Sequence, residues 1–146
     1  MVVEGRVSSL SPVISGVPQG TVLGPVLFLL HISDIAKGVS ASTKTSSYVD
    51  DTRATRSIKN TQSDCHTLQQ DLSSIYSWAS EVNMEFNSDK FECLRYWPGG
   101  QKPDFQYKSP DGSIIEEKEH LRDLGVEMAS DLTFTIHIAN VVTVAN

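Results

Sequence analysis

Tyr48-Val49-Asp50-Asp51 places two adjacent carboxylates between two segments of strand character. Thr45, Tyr48 and Val49 lead into the pair, and Thr52 to Ser57 leaves it with Thr and Ala at strand-compatible positions. β-Branched and aromatic residues suit a pleated, half-buried surface, so the stretch reads as a hairpin with an acidic tip. Such a tip presents carboxylate oxygens at the end of a sheet with no bulky side chain over them, as the binding of hard divalent cations such as magnesium requires. Asp is also a preferred turn residue, because its side chain bonds its own backbone, and an ordinary surface turn accounts for the pair equally well.

Upstream lies Ser15-Gly16-Val17-Pro18-Gln19-Gly20-Thr21-Val22-Leu23-Gly24-Pro25. Gly16, Gly20 and Gly24 allow close backbone approach, while Pro18 and Pro25 restrict the path between them. A loop of this kind can lie against a nucleotide or a template strand. It is not a nucleotidase phosphate loop, because no Gly-Lys-Ser/Thr follows. Pro25 suits a first helical turn, and the apolar run from Val26 to about Ile35 predicts a buried helix.

Working outward in the other direction, a polar connection from Lys37 to Ser47 enters the hairpin, and Asn60 to Asp64 reads as a helix start. Thr61 and Asp64 stand at capping-box spacing. Leu68, Leu72, Ile75, Ala79 and Val82 then recur at steps of four and three, one apolar stripe on a helix to about Asn83. Phe91 to Tyr96 alternates as a strand and Trp97-Pro98-Gly99-Gly100 breaks it. Pro110-Asp111-Gly112 turns between Phe105–Lys108 and Ser113–Ile115 in a second hairpin. Glu116 to Glu119 reads as a solvated connector. At the N-terminus, Glu4-Gly5 turns between Val2-Val3 and Arg6-Val7. Together these elements predict an α+β fold: helices on one face of a mainly antiparallel sheet in a split ferredoxin-like arrangement.

The chain has 146 residues, 39% of them hydrophobic, enough for one modest domain with a core. Its formal net charge is −6, opposite in sign to the basic surfaces that track phosphate backbones. Cys65 and Cys93 form no metal-ligand spacing and no disulfide framework, which predicts buried or idle thiols in a reducing compartment. Met1 to Leu10 lacks the apolar core of a secretory signal, and Val26–Ile32 falls well short of the roughly 20 residues of a membrane span. The expectation is an intracellular protein, nuclear or cytoplasmic, not secreted and with no membrane partner.

Ser15 to Gly20, followed by Val26-Leu27-Phe28-Leu29-Leu30-His31-Ile32 and then by Tyr48-Val49-Asp50-Asp51, resembles two successive blocks of reverse transcriptases. More narrowly, the combination resembles those of non-LTR retrotransposons of the jockey and CR1 kind. The resemblance extends to the Trp78 helix with Asn87 and Lys90 after it, and to Leu124-Gly125-Val126. There the family's Tyr-Leu-Gly-Val segment has Asp123 in the aromatic's place. It implies a partial polymerase palm over 1–132 and the start of a thumb helix over 133–146. Asp50 and Asp51 would be catalytic metal ligands, for magnesium or manganese in the complete domain. Gly16, Pro18, Gln19 and Gly20 would lie at the nucleotide and template, Leu124 and Gly125 at the primer. Lys90 would donate a proton to departing pyrophosphate, a contribution of typically about 10²–10⁴-fold; a solvated surface lysine is the plainer reading.

RNA template, DNA primer and deoxynucleotide are the partners implied for the complete enzyme. Two-metal nucleotidyl transfer draws carboxylates from two strands. The family's other Asp stands on a strand upstream of its Gly-Pro-Gln region, and Glu4 does not match it. The chain alone is therefore expected to be inactive: an enzyme fragment, or else a non-catalytic remnant serving as a binding or scaffold module.

Overall fold

In the computed structural model, the described residues are 2–3, 6–7, 12, 20, 22–59, 61–97, 99 and 102–145. They fall into two units, Met1–Asp34 and Ile35–Asn146. In the first, β1 (Val2–Val3) and β2 (Arg6–Val7) pair antiparallel, Val2 opposite Val7, as the turn at Glu4-Gly5 predicts. Helix α1 (Gly24–Ile32) follows with Pro25 in its first turn, where a missing N–H costs nothing. Its end is closed by Ser33, whose hydroxyl donates to the Leu30 carbonyl at 2.8 Å. The expectation of a buried helix is corrected here, since Leu29 and Leu30 are 60% and 66% exposed. A helix apolar all round needs cover on every side. The other regular elements described in this unit are two strands of two residues each.

The second unit begins with β3 (Thr43–Tyr48) and β4 (Asp51–Arg56), paired antiparallel from Thr43 opposite Arg56 to Tyr48 opposite Asp51. Helix α2 (Thr61–Glu81) is next. Its stripe is as the periodicity predicts, with Ile75 and Ala79 buried and Leu68 and Leu72 half-buried. Cys65, three residues before Leu68, extends the same stripe and is a free, buried thiol. With Tyr107 and Ile115 it forms a core onto which Ile58, Leu68, Leu72, Phe91, Cys93 and Phe105 pack. Asp64 reaches past the predicted box position, accepting from the Lys59 N–H at 2.8 Å.

A 3-10 turn (Ser88–Lys90), capped by the Asn87 side chain, leads into β5 (Glu92–Leu94). The Pro110 turn closes a minimal hairpin, with the Ile115 N–H donating to Tyr107 O at 2.8 Å and Lys108 bridged to Ile114. Glu116–Lys118 is not a loose connector: it forms β6, parallel to β5, with Glu92 opposite Glu116. The charges that suggested solvation pair with one another. Glu117 binds Arg95 at 3.3 Å and also Lys102, while Lys118 reaches Glu116 at 3.0 Å and Glu92 at 3.7 Å.

Leu121 to Met128 lies in a hairpin of β7 (His120–Asp123) and β8 (Val126–Ala129). Helix α3 (Thr135–Ala145) follows a turn in which Asp131 Oδ1 accepts from the Thr133 N–H at 2.9 Å. The fold is thus mixed α/β. Among the described residues its strands form four separate two-stranded ladders, one of them parallel, rather than one antiparallel sheet. No helix among them is long and apolar enough to cross a membrane.

What holds the β3–β4 hairpin to α2 is polar. Arg56, at the base of β4, bonds Asp64 Oδ1 at 3.2 Å and lies 3.8 Å from Asp71 Oδ2. Asp71 also accepts from the Ser40 N–H at 2.8 Å, the Ser40 hydroxyl at 2.7 Å and the Thr43 hydroxyl. Burial by itself would raise the Asp71 pKa, but the hydrogen bonds from Thr43 and Ser40 and the Arg56 charge hold it below the usual carboxylate value. Both side chains are nearly buried, at 9% exposure for Arg56 and 5% for Asp71. Removing one partner of such a pair typically costs about 3–5 kcal/mol.

Asp71→Asn is therefore expected to lower unfolding stability at neutral pH by about 3 kcal/mol, because Arg56 keeps Asp64 as a partner. Urea denaturation measures the difference. Since the folded pKa is depressed, Asp71's contribution is full above the ordinary carboxylate pKa of about 4 and fades as pH falls through the lower folded value. The gap between the native chain and Asp71→Asn should therefore narrow as the solution is acidified below that range.

Candidate active site

The register fixes the tip. Tyr48 pairs with Asp51, leaving Val49 and Asp50 as a two-residue loop. Val49 has φ 55° while Asp50 is not in the positive-φ region, the pattern of a II′ hairpin turn. A β-branched residue in this region is strained, by about 1–3 kcal/mol. Asp50 and Asp51 are both exposed. Below them, Ser47 and Thr52 face each other with their hydroxyl oxygens 3.0 Å apart.

Along β4 exposure alternates, with Asp51, Arg53 and Thr55 on the open face and Thr52, Ala54 and Arg56 half-buried on the other. At about 3.3 Å per residue the acidic tip stands roughly 17 Å from the Arg56 anchor. The hairpin is therefore fastened to α2 at its base, far from its acidic end.

The second predicted contact region is also a hairpin end. Asp123 pairs with Val126, so Leu124 and Gly125 are the two loop residues. Their φ values are 47° and 85°, both positive as a I′ turn requires. Gly125 is suited to that backbone, and Leu124 occupies it at a steric cost. The structure joins this turn to the acidic hairpin through Arg53, whose Nε lies 2.8 Å from Asp123 Oδ2. Asp123, which replaces an aromatic in the resembled segment, is thus engaged in an ion pair.

Lys90 is exposed on the 3-10 turn, and no ion pair among the described residues ties it to either aspartate. Gly20 is exposed with φ 79°, a conformation that favours glycine. Gly16, Pro18 and Gln19 lie outside the described residues. No group of three or more His, Cys, Asp or Glu able to hold a metal ion occurs among the described residues. Magnesium commonly binds through one or two carboxylates and keeps several waters, so Asp50 and Asp51 are enough in number for one ion and too few for two.

Sequence reasoning missed Arg53, Arg56 and Asp71. The signal for Asp71 was present: it interrupts the apolar stripe of α2 between Leu68 and Ile75, where a buried carboxylate demands a cation. Nothing in the spacing of Arg53 and Asp123 could have joined them, because they lie in separate hairpins.

Residues 2–128 match the model of the reverse transcriptase (RNA-dependent DNA polymerase) family. The chain belongs to the reverse transcriptase family. Within it, this chain is related to the non-LTR, jockey-type enzymes. It is 29% identical over 145 residues to the RNA-directed DNA polymerase from mobile element jockey of Drosophila melanogaster. To the protein of the same name from Drosophila funebris it is 27% identical over 147 residues. The matches cover 95% and 94% of this chain but only 16% and 15% of those relatives, so it spans about a sixth of their length. No solved structure matches this reverse transcriptase segment.

Val49→Gly tests the strain at the tip. Relief of the positive φ outweighs the extra backbone entropy of glycine, and the expected gain is about 1 kcal/mol. The check is thermal unfolding, read as a higher Tm.

Proposed function

We propose that residues 1–132 are part of the palm of an RNA-directed DNA polymerase, a split ferredoxin-like element, and that 133–146 begin its thumb helix. The observation that carries this is the exposed Asp50–Asp51 pair, Asp50 in the strained two-residue turn and Asp51 at the head of β4, on a hairpin whose base is fastened to α2. Asp50 would be the principal ligand of a magnesium or manganese ion and Asp51 its neighbour. When bound, the metal supplies positive charge to the primer hydroxyl and the nucleotide triphosphate.

The chain's own residues divide the remaining work. Gly16, Pro18, Gln19 and Gly20 would line the nucleotide and the RNA template, Leu124 and Gly125 would touch the DNA primer, and Lys90 would protonate departing pyrophosphate. Because two-metal transfer draws on carboxylates from two strands, Asp50 and Asp51 provide one half of the set, and the 146 residues by themselves do not polymerise. The second reading is a retrotransposon-derived remnant that binds or scaffolds without turnover; Asp123 in the place of an aromatic decides for neither, and metal binding at the tip separates the two.

Manganese titration of the isotope-labelled chain separates a retained metal site from a bare turn. Paramagnetic broadening should appear first at the amides of Val49 to Thr52 and vanish in Asp50→Asn/Asp51→Asn. Broadening centred on Glu116 to Glu119, with the tip untouched, would overturn the assignment.

A further inference from the structure

We propose that Arg53 and Asp123 are a positioning pair that sets the offset between the acidic tip and the Leu124-Gly125 turn. The purpose rests on the polymerase reading; the geometry does not. Among the described residues strands β4 and β7 share no ladder, so no strand pairing fixes one hairpin against the other. The two meet through side chains, and the 2.8 Å contact from Arg53 Nε to Asp123 Oδ2 lies close to both turns. Arg53 is two residues from Asp51 on the same open face of β4, a rise of about 6.6 Å. Asp123 is the last residue of β7, directly before Leu124.

The partners also suit a device that orients. The Arg53 side chain is 42% exposed and that of Asp123 14%, so solvent screens the pair and it adds little to stability. A guanidinium is planar and binds a carboxylate in a defined direction, which a lysine does not reproduce. In a palm, one turn faces the metal and the other the primer strand, and the pair between them determines where the primer's end falls relative to Asp50. An aromatic at position 123 could not make this bond. The substitution exchanges a packing contact for a directional one, and it is the arginine on the catalytic hairpin that makes the exchange workable.

The test is a distance measurement needing neither metal nor turnover. A nitroxide is placed by Ser46→Cys in a Cys93→Ala background, Ser46 being exposed and paired with Arg53, while Cys65 is buried. The label should broaden the amides of Leu124, Gly125 and Val126. Asp123→Asn should roughly halve that effect, as should about 1 M salt on the unsubstituted pair, where the Debye length is about 3 Å. The charge swap Arg53→Asp/Asp123→Arg should restore it, with Tm little changed throughout. Broadening that persists in Asp123→Asn, or that the swap fails to restore, would overturn the proposal. The salt arm stands even if a variant unfolds. A tip that ignores manganese defeats the polymerase reading and leaves these outcomes unaffected.

Discussion

The buried contact between Arg56 and Asp71 is the constraint on which the rest of the larger unit depends. Two short strands in a lone ladder are marginal in water, and β3–β4 stays aligned because its base is tied to the longest helix. Arg56 reaches Asp64 and Asp71 two turns apart on α2, and Ser40 in the entering loop and Thr43 at the start of β3 saturate the Asp71 carboxylate. Buried ionic contacts offset desolvation only when hydrogen bonds satisfy the remaining polar atoms; the Asp71 oxygens are satisfied here, whereas Arg56 Nε is buried without a hydrogen-bond partner among the described residues. The consequence is mechanical: one end of the hairpin is immobilised, so the other can carry exposed, mutually repelling carboxylates and a strained Val49.

A strained turn recurs in β7–β8. Its turn also places a non-glycine residue, Leu124, at positive φ. Strain of this kind persists where surrounding structure over-determines the backbone, and it gathers where function needs a defined tip. Both turns lie within residues 2–128, the span that matches the reverse transcriptase model. The Arg53–Asp123 contact links the two turns.

Much of this was legible in the residues. The alternation around Tyr48 to Asp51 specified the hairpin and even its tip, and the four-three spacing from Leu68 to Ala79 specified α2 and its buried face. Periodicity failed where burial did not follow it. Glu116-Glu117-Lys118 forms a strand although all three are charged, because its pairing is with Arg95, Lys102 and Glu92 and not with a core. The turn at Leu124-Gly125 was not legible, because a single glycine is a weak turn signal until both loop residues are seen at positive φ. The apolar run of α1 promised burial that the described residues do not supply. The candidate metal ligands were legible from an adjacent pair of carboxylates, whereas Arg53 and Asp123 became visible only once two hairpins stood side by side.

The central claim, that this chain carries one half of a two-metal site, is tested most directly by labelled-nucleotide incorporation on a primed RNA template with the chain alone. The account predicts no incorporation above background, with magnesium or with manganese. Incorporation that disappears in Asp50→Asn would contradict it, showing that these 146 residues assemble a complete catalytic centre.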